Sequence, residues 1–227
     1  EFDSTLDKAI EFLMNDGKCK PGIDKFAYQN AIKTFALAEA AALLGYTPKI
    51  EKSVQESIQY IIDGQQTKGG FAYKYAKSNT QDLSLTAWNL QALNSADKVF
   101  VIPQARQGIE KALPWLAAMA KENFTYNTRN HLPSKKPDKE PKNQSMRAIG
   151  TWLTILLDSK NKENVQDELA AIATENYESL SWSTTNGHPF YGCYYANLCM
   201  TDLGGEKGEK WKTKLRNLMV YNQHKAG

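Results

Sequence analysis

The densest run of chemically capable side chains is Tyr126, Asn127, Arg129 and His131, four polar residues within six positions. A Tyr, His and Arg set is the equipment for abstracting a proton beside a uronic carboxylate, which is polysaccharide lyase chemistry. Four polar residues in a turn also arise by chance, so lyase activity is the lesser reading. Cys193 and Cys199, with His188 or His224, are metal-ligand types. Two residues six apart on a helix point in different directions, however, and the simpler reading is a pair of small apolar residues in a buried helix. Asp82, Asp158 and Asp202 stand singly, without the paired carboxylates that Mg²⁺ requires. Asp82 directly precedes an apolar helix, the place of an N-cap, and His188 before Pro189 reads as a turn residue opening another helix. No catalytic residue, metal ligand or cofactor is assigned.

Two kinds of helix must position these residues. The first is one-sided: Ile50, Val54, Ile58, Ile61 and Ile62 form an apolar stripe, with Glu51, Lys52, Gln55, Glu56 and Gln59 opposite. The second is apolar on several sides and belongs in the interior: 26–44, 83–93 (LSLTAWNLQAL), 146–157 (MRAIGTWLTILL) and 191–203 (YGCYYANLCMTDL). Gly45 and Gly204-Gly205 are stop signals. Val, Ile and Thr runs with period-two alternation are nearly absent, so no sheet is expected.

The one-sided helices repeat. Tyr60-Ile61, Gln65, Gly69 and Phe71 recur in register as Ala112, Trp115-Leu116 and Tyr126; Ala9 with Phe12-Leu13, Ala171-Ile172 with Trp182, and Leu218-Met219 with Gln223 and Gly227 give further copies. The markers Phe12, Tyr60, Trp115, Ala171 and Leu218 lie 48, 55, 56 and 47 residues apart, room for two helices each. Five outer and four inner helices follow, alternating along the chain. Gln65 and Gln223 carry donors and an acceptor suited to tying off helix ends, while Phe71 packs against the next unit. The tract 130–144, NHLPSKKPDKEPKNQ, reads as a solvated surface loop.

If the outer-to-inner turns gather at one end, inner-helix N-termini converge there in a mildly positive rim suited to a carboxylate, sulfate or phosphate. The candidate ligand-binding residues at that rim are Tyr73, Tyr75, Asp82, Tyr126, Arg129, His131, Trp182, His188, Tyr191 and Tyr194.

The stretch Tyr60-Ile61-Ile62-Asp63-Gly64-Gln65-Gln66-Thr67-Lys68-Gly69-Gly70-Phe71 resembles the Gln-Trp repeat of squalene and hopene cyclases, and YYANLCMTDLGGEKGEKWKTKLRNLMVYNQ is similar to bacterial prenyltransferase or squalene-oxidase repeat proteins. The resemblance covers nearly the whole chain. It implies an all-α fold, a partial α/α toroid of concentric inner and outer helices in about four and a half helical hairpins, as in terpenoid cyclases, protein prenyltransferase β subunits and thioester domains. The chemistries of those relatives have no matching motif: the chain has no DxDD cluster, no DDxxD stretch, Tyr191 where a zinc-thiolate site places Asp before Cys193, and Gly192-Cys193-Tyr194 in place of a thioester sequence.

With 227 residues, 41% hydrophobic and 23% charged, the chain has the composition of a globular domain and no apolar run long enough to span a bilayer. A net charge of +3 is too small to indicate a nucleic-acid partner. The start at Glu1-Phe2-Asp3 suggests a piece of a longer protein, with localisation open. The expectation is therefore a single repeat domain over 1–227 that binds a hydrophobic, glycan or peptide ligand without catalysis. Its ring would be completed by further sequence or by another chain. A terpenoid cyclase or prenyltransferase whose reactive groups lie elsewhere is the competing reading.

Overall fold

The Thr47-Pro48 start and the Ile50/Val54/Ile58/Ile61 stripe determine one helix almost completely. Pro48 presets the first helical φ, the Thr47 hydroxyl accepts from the Ile50 amide at 3.3 Å, and these four stripe residues are buried while the fifth, Ile62, is half-buried. Each such side chain contributes about 1.5–3 kcal/mol on burial. The same logic, repeated, yields an all-α protein with nine α-helices among the described residues. The computed structural model describes residues 2–15, 22, 25–45, 47–78, 80–121, 124, 127–129, 132–133, 144–158, 163, 165–177 and 189–223, with backbone alone at 2, 3, 127–129, 132, 133, 176 and 189.

The helices are α1 (Phe2–Asn15), α2 (Phe26–Leu44), α3 (Pro48–Gly64), α4 (Leu83–Phe100), α5 (Pro103–Lys121), α6 (Gln144–Leu157), α7 (Gln166–Ala171), α8 (Pro189–Leu203) and α9 (Gly205–Asn222). A wide π turn, Ile172–Asn176, continues α7. The chain divides into two compact units, Glu1–Trp115 with Asn127–Pro133, and Leu116–Tyr126 with Ser134–Gly227.

In the first unit α2 lies along α4, meeting it successively at Tyr28 with Ser84, Phe35 with Trp88 and Glu39 with Ser95. Both sets of numbers ascend, so the two helices run parallel. Phe26 against Tyr60 and Asn30 against Ser57 reverse that order, so α3 runs antiparallel to α2. Helix α4 is the interior element: Leu83, Leu85, Ala87, Leu90, Ala92, Leu93 and Ala96 are fully buried. Helix α2 is apolar on several sides, as expected, but is not wholly interior. It buries Phe26, Ala27, Ala31, Leu37, Ala38 and Ala41 along one stripe and leaves Ile32, Leu43 and Leu44 exposed, because α3 and α4 cover only that stripe.

A small antiparallel ribbon corrects the expectation of no sheet. Strand β1 (Thr80–Asp82) pairs with β2 (Asn127–Arg129), which pairs with β3 (Leu132–Pro133). Strands of two or three residues are too short to carry a period-two signal for a sequence to show.

In the second unit α6 and α8 repeat the parallel packing. Gly192 approaches Ser145 so closely that a Cβ would meet its hydroxyl, and the Cys199 thiol lies 3.4 Å from the Ala148 carbonyl. Gly150 likewise leaves room for the Phe124 ring. Gly204 (φ +63°) separates α8 from α9 and, with Gly45 (φ +82°) after α2, acts at the expected stop positions.

Candidate functional site

The turn that joins α3 to α4 holds three of the ten rim candidates, and its own sequence explains its shape. Gly69 (φ +102°) is left-handed and so close to the Lys111 carbonyl that no side chain fits. The Gln65 amide donates to the Gly69 carbonyl at 2.8 Å and to the Gly108 carbonyl on α5 at 2.7 Å. Gln66 donates to Gly64, the last carbonyl of α3, at 3.0 Å and to Ala76 at 2.9 Å, while its oxygen accepts from the Ser78 amide. Gln81 accepts from the Gly70 amide at 2.8 Å. All three glutamines are buried. Gln65 thus binds the turn to α5, and the tying-off of the helix end falls to its neighbour Gln66. Gln223, given the same role, is exposed and makes no side-chain hydrogen bond among the described residues; the glycine that would answer to Gly69, Gly227, lies outside them.

Tyr75 is a packing residue of this turn. Its hydroxyl donates to Asn89 Oδ1 at 2.7 Å and accepts from Asn30 Nδ2 at 3.2 Å, linking α2 and α4, and its ring sits edge-on to Phe26 and Phe71 and directly over Gly64. Lys74 and Tyr75 both adopt positive φ, 61° and 57°, which aims the ring inward. Phe71 is fully buried, and its amide donates to Thr86 Oγ1 at 2.9 Å.

Asp82 caps α4, as its position suggested. Its Oδ1 accepts from the Leu85 amide at 2.8 Å and from the Ser84 hydroxyl at 2.7 Å, and Ser84 in turn meets the Tyr28 hydroxyl. The carboxylate already occupies the positive end of this helix, so the α4 N-terminus is not a vacant anion site. Its second oxygen, Oδ2, is buried and has no hydrogen-bond partner among the described residues. Tyr73 is 45% exposed and packs edge-on against Tyr28 at 5.7 Å. The ribbon brings Arg129 opposite Thr80 and Asn127 opposite Asp82 in backbone register, so this part of the polar run 126–131 does border the cap.

The side chain of Arg129 and all of Tyr126, His131, Trp182, His188 and His224 lie outside the described residues. Tyr191 and Tyr194 belong to the second unit, where both rings pack edge-on against the fully buried Tyr195, at 5.3 and 5.0 Å; Tyr194 is 39% exposed. Cys199 is fully buried, and desolvation, reinforced by Asp202, pushes its thiol far above the ordinary range. Burial raises Cys193 as well.

One charged group that sequence inspection passed over is Arg147. It is buried in α6 and forms ion pairs at 2.7 Å with both Glu168 of α7 and Glu175 of the π turn. Its partners lie 21 and 28 residues away, beyond any local spacing rule. Two carboxylates around one guanidinium hold α7 onto α6. Among the described residues no group of three His, Cys, Asp or Glu side chains is placed to hold a metal, and no helix is long and apolar enough to cross a membrane. Comparison with protein-family models, with curated proteins and with solved structures gave no match.

Proposed function

We propose that this chain is a non-catalytic repeat domain of a larger protein that presents a tyrosine-lined turn to a hydrophobic, glycan or peptide ligand. The observation that carries this reading is how the polar residues of the α3–α4 turn are used. Gln65, Gln66, Gln81 and Asn89 are buried and bonded to backbone or to Tyr75, so they build walls and are not presented to a reacting molecule. Against those walls stands the half-exposed Tyr73 ring beside Tyr28, an apolar surface with a hydroxyl at its edge, of the kind sugars and peptide side chains stack upon.

On the same reading the hairpins belong to an α/α toroid of the terpenoid cyclase and prenyltransferase type. Two features support it: one-sided and more apolar segments alternate along the sequence, and α2 with α4, and α6 with α8, run parallel within their units. A repeat of that type supplies architecture and no reaction by itself.

The test is a calorimetric and thermal-shift screen against glycan, peptide and isoprenoid panels, repeated with Tyr73→Ala. A ligand whose affinity falls at least about tenfold in Tyr73→Ala with Tm unchanged supports the proposal, since losing an aromatic contact costs on the order of 1–3 kcal/mol. Turnover of farnesyl or geranylgeranyl diphosphate with Mg²⁺ would overturn it in favour of an enzyme.

A further inference from the structure

The second unit holds a cavity of about 730 Å³ between the end of the π turn and one side of α9. Glu206, Lys210, Thr213, Asn217 and Tyr221 line it at steps of three or four residues, the spacing of a single helix face. That face is distinct from the inward one, which buries Gly208 and Trp211. Tyr177 forms a second wall and is held from three directions. It directly follows the widened turn Ile172–Asn176, its ring leans on Trp211 at 6.4 Å, and the Lys214 ammonium lies 4.3 Å from the ring centre while donating to the Tyr177 carbonyl. Single π turns continuing α-helices recur at functional sites.

The chemistry of the lining narrows the ligand. Two acidic and two basic side chains among the lining residues leave no net charge, and each is already matched. Lys210 pairs with Glu206 at 2.7 Å, Glu209 with Lys212 at 3.0 Å, and Lys214 is held by Tyr177. An ionic ligand would therefore have to compete with the protein's own pairs. Thr213 and Asn217 are exposed and make no side-chain hydrogen bond among the described residues. The remaining surface is largely carbon, contributed by the Tyr177 and Tyr221 rings and by Leu218. An apolar wall with a few placed polar groups, in a volume of this size, is the form of a small-molecule site. An uncharged molecule with one apolar face and a fringe of hydroxyls fits all of these groups, and a pyranose ring has that form.

We propose that this cavity binds a neutral oligosaccharide. A sugar ring lies on the Tyr221 ring, its hydroxyls bond to Thr213 and Asn217, and Tyr177 closes the side. The site belongs wholly to the second unit, so it does not rest on the ligand reading of the α3–α4 turn and survives its failure.

Isothermal titration calorimetry with cellohexaose, N-acetylchitohexaose, xylohexaose and maltohexaose tests it. At least one of the four binds, with the same affinity at low and high salt because no charge takes part. Tyr221→Ala, and separately Thr213→Ala with Asn217→Ala, each weaken that binding at least about tenfold. All three positions are exposed, and circular dichroism checks that helix content is kept. Tyr73→Ala leaves this binding unchanged, which separates the site from the α3–α4 turn. No binding of any of the four at millimolar concentration, binding that salt weakens, or binding indifferent to both α9 variants overturns the proposal. Binding lost in Tyr73→Ala overturns it too and assigns the glycan to the first unit.

Discussion

At the scale of single residues, this protein spends its polar side chains on holding turns together. Tyr75 shows it best: one hydroxyl answers both Asn89 and Asn30 while the ring fills the space above Gly64. Tyr75→Phe keeps the ring contacts and removes the hydroxyl, leaving Asn89 Oδ1 buried without its donor. Chemical denaturation of this variant is expected to show a loss of about 1–3 kcal/mol. Cys199 supplies a pH test. Its folded pKa lies above the unfolded value of about 8.5, so above that pH the unfolded chain releases a proton that the folded chain retains. Stability is unaffected below pH 8 and declines beyond it by up to about 1.4 kcal/mol per pH unit. Urea titrations at pH 8 and pH 10 should show a steeper fall for wild type than for Cys199→Val. The Asp82 cap was readable from sequence because it depends on near neighbours. The Tyr75 network and the Arg147 pairs were not, because their partners come from other helices.

Among the elements, the helices were legible from periodicity, and several boundaries fall where glycine placed them. The departures have local causes. Helix α4 runs seven residues past its last expected position, through Asn94 to Phe100, because Leu93 and Ala96 stay buried and its terminus is closed by Val101 in the left-handed region (φ 54°), with the Val101 amide bonded to the Asp97 carbonyl at 2.9 Å. A β-branched residue is badly suited to that conformation, and no glycine marked the stop. Val101 is 68% exposed and buries little, so Val101→Gly is expected to raise stability by about 1 kcal/mol, read as a higher Tm in calorimetry. The β1–β2–β3 ribbon has no sequence signal for the opposite reason: its strands are too short to have a pattern.

For the whole molecule, the repeat register is the proposition with most resting on it, and Trp115 tests it. The markers place it on the buried side of an outer helix, and it is 4% exposed there. Trp115→Ala is expected to cost about 3–5 kcal/mol through the cavity it leaves, measured by denaturant unfolding; a loss below about 1 kcal/mol would show that the side chain contributes little to the core. Tyr126, His131, Trp182 and His188, four of the ten rim candidates, fall outside the described residues; of the rest, Tyr73, Tyr75 and Asp82 come together in the turn after α3. Uneven burial has one more consequence. Within each unit, helices that bury little against their neighbours open first and fully buried ones last. Amide deuterium uptake should follow that order, fastest in α1 and the final turns of α9 and slowest along α4.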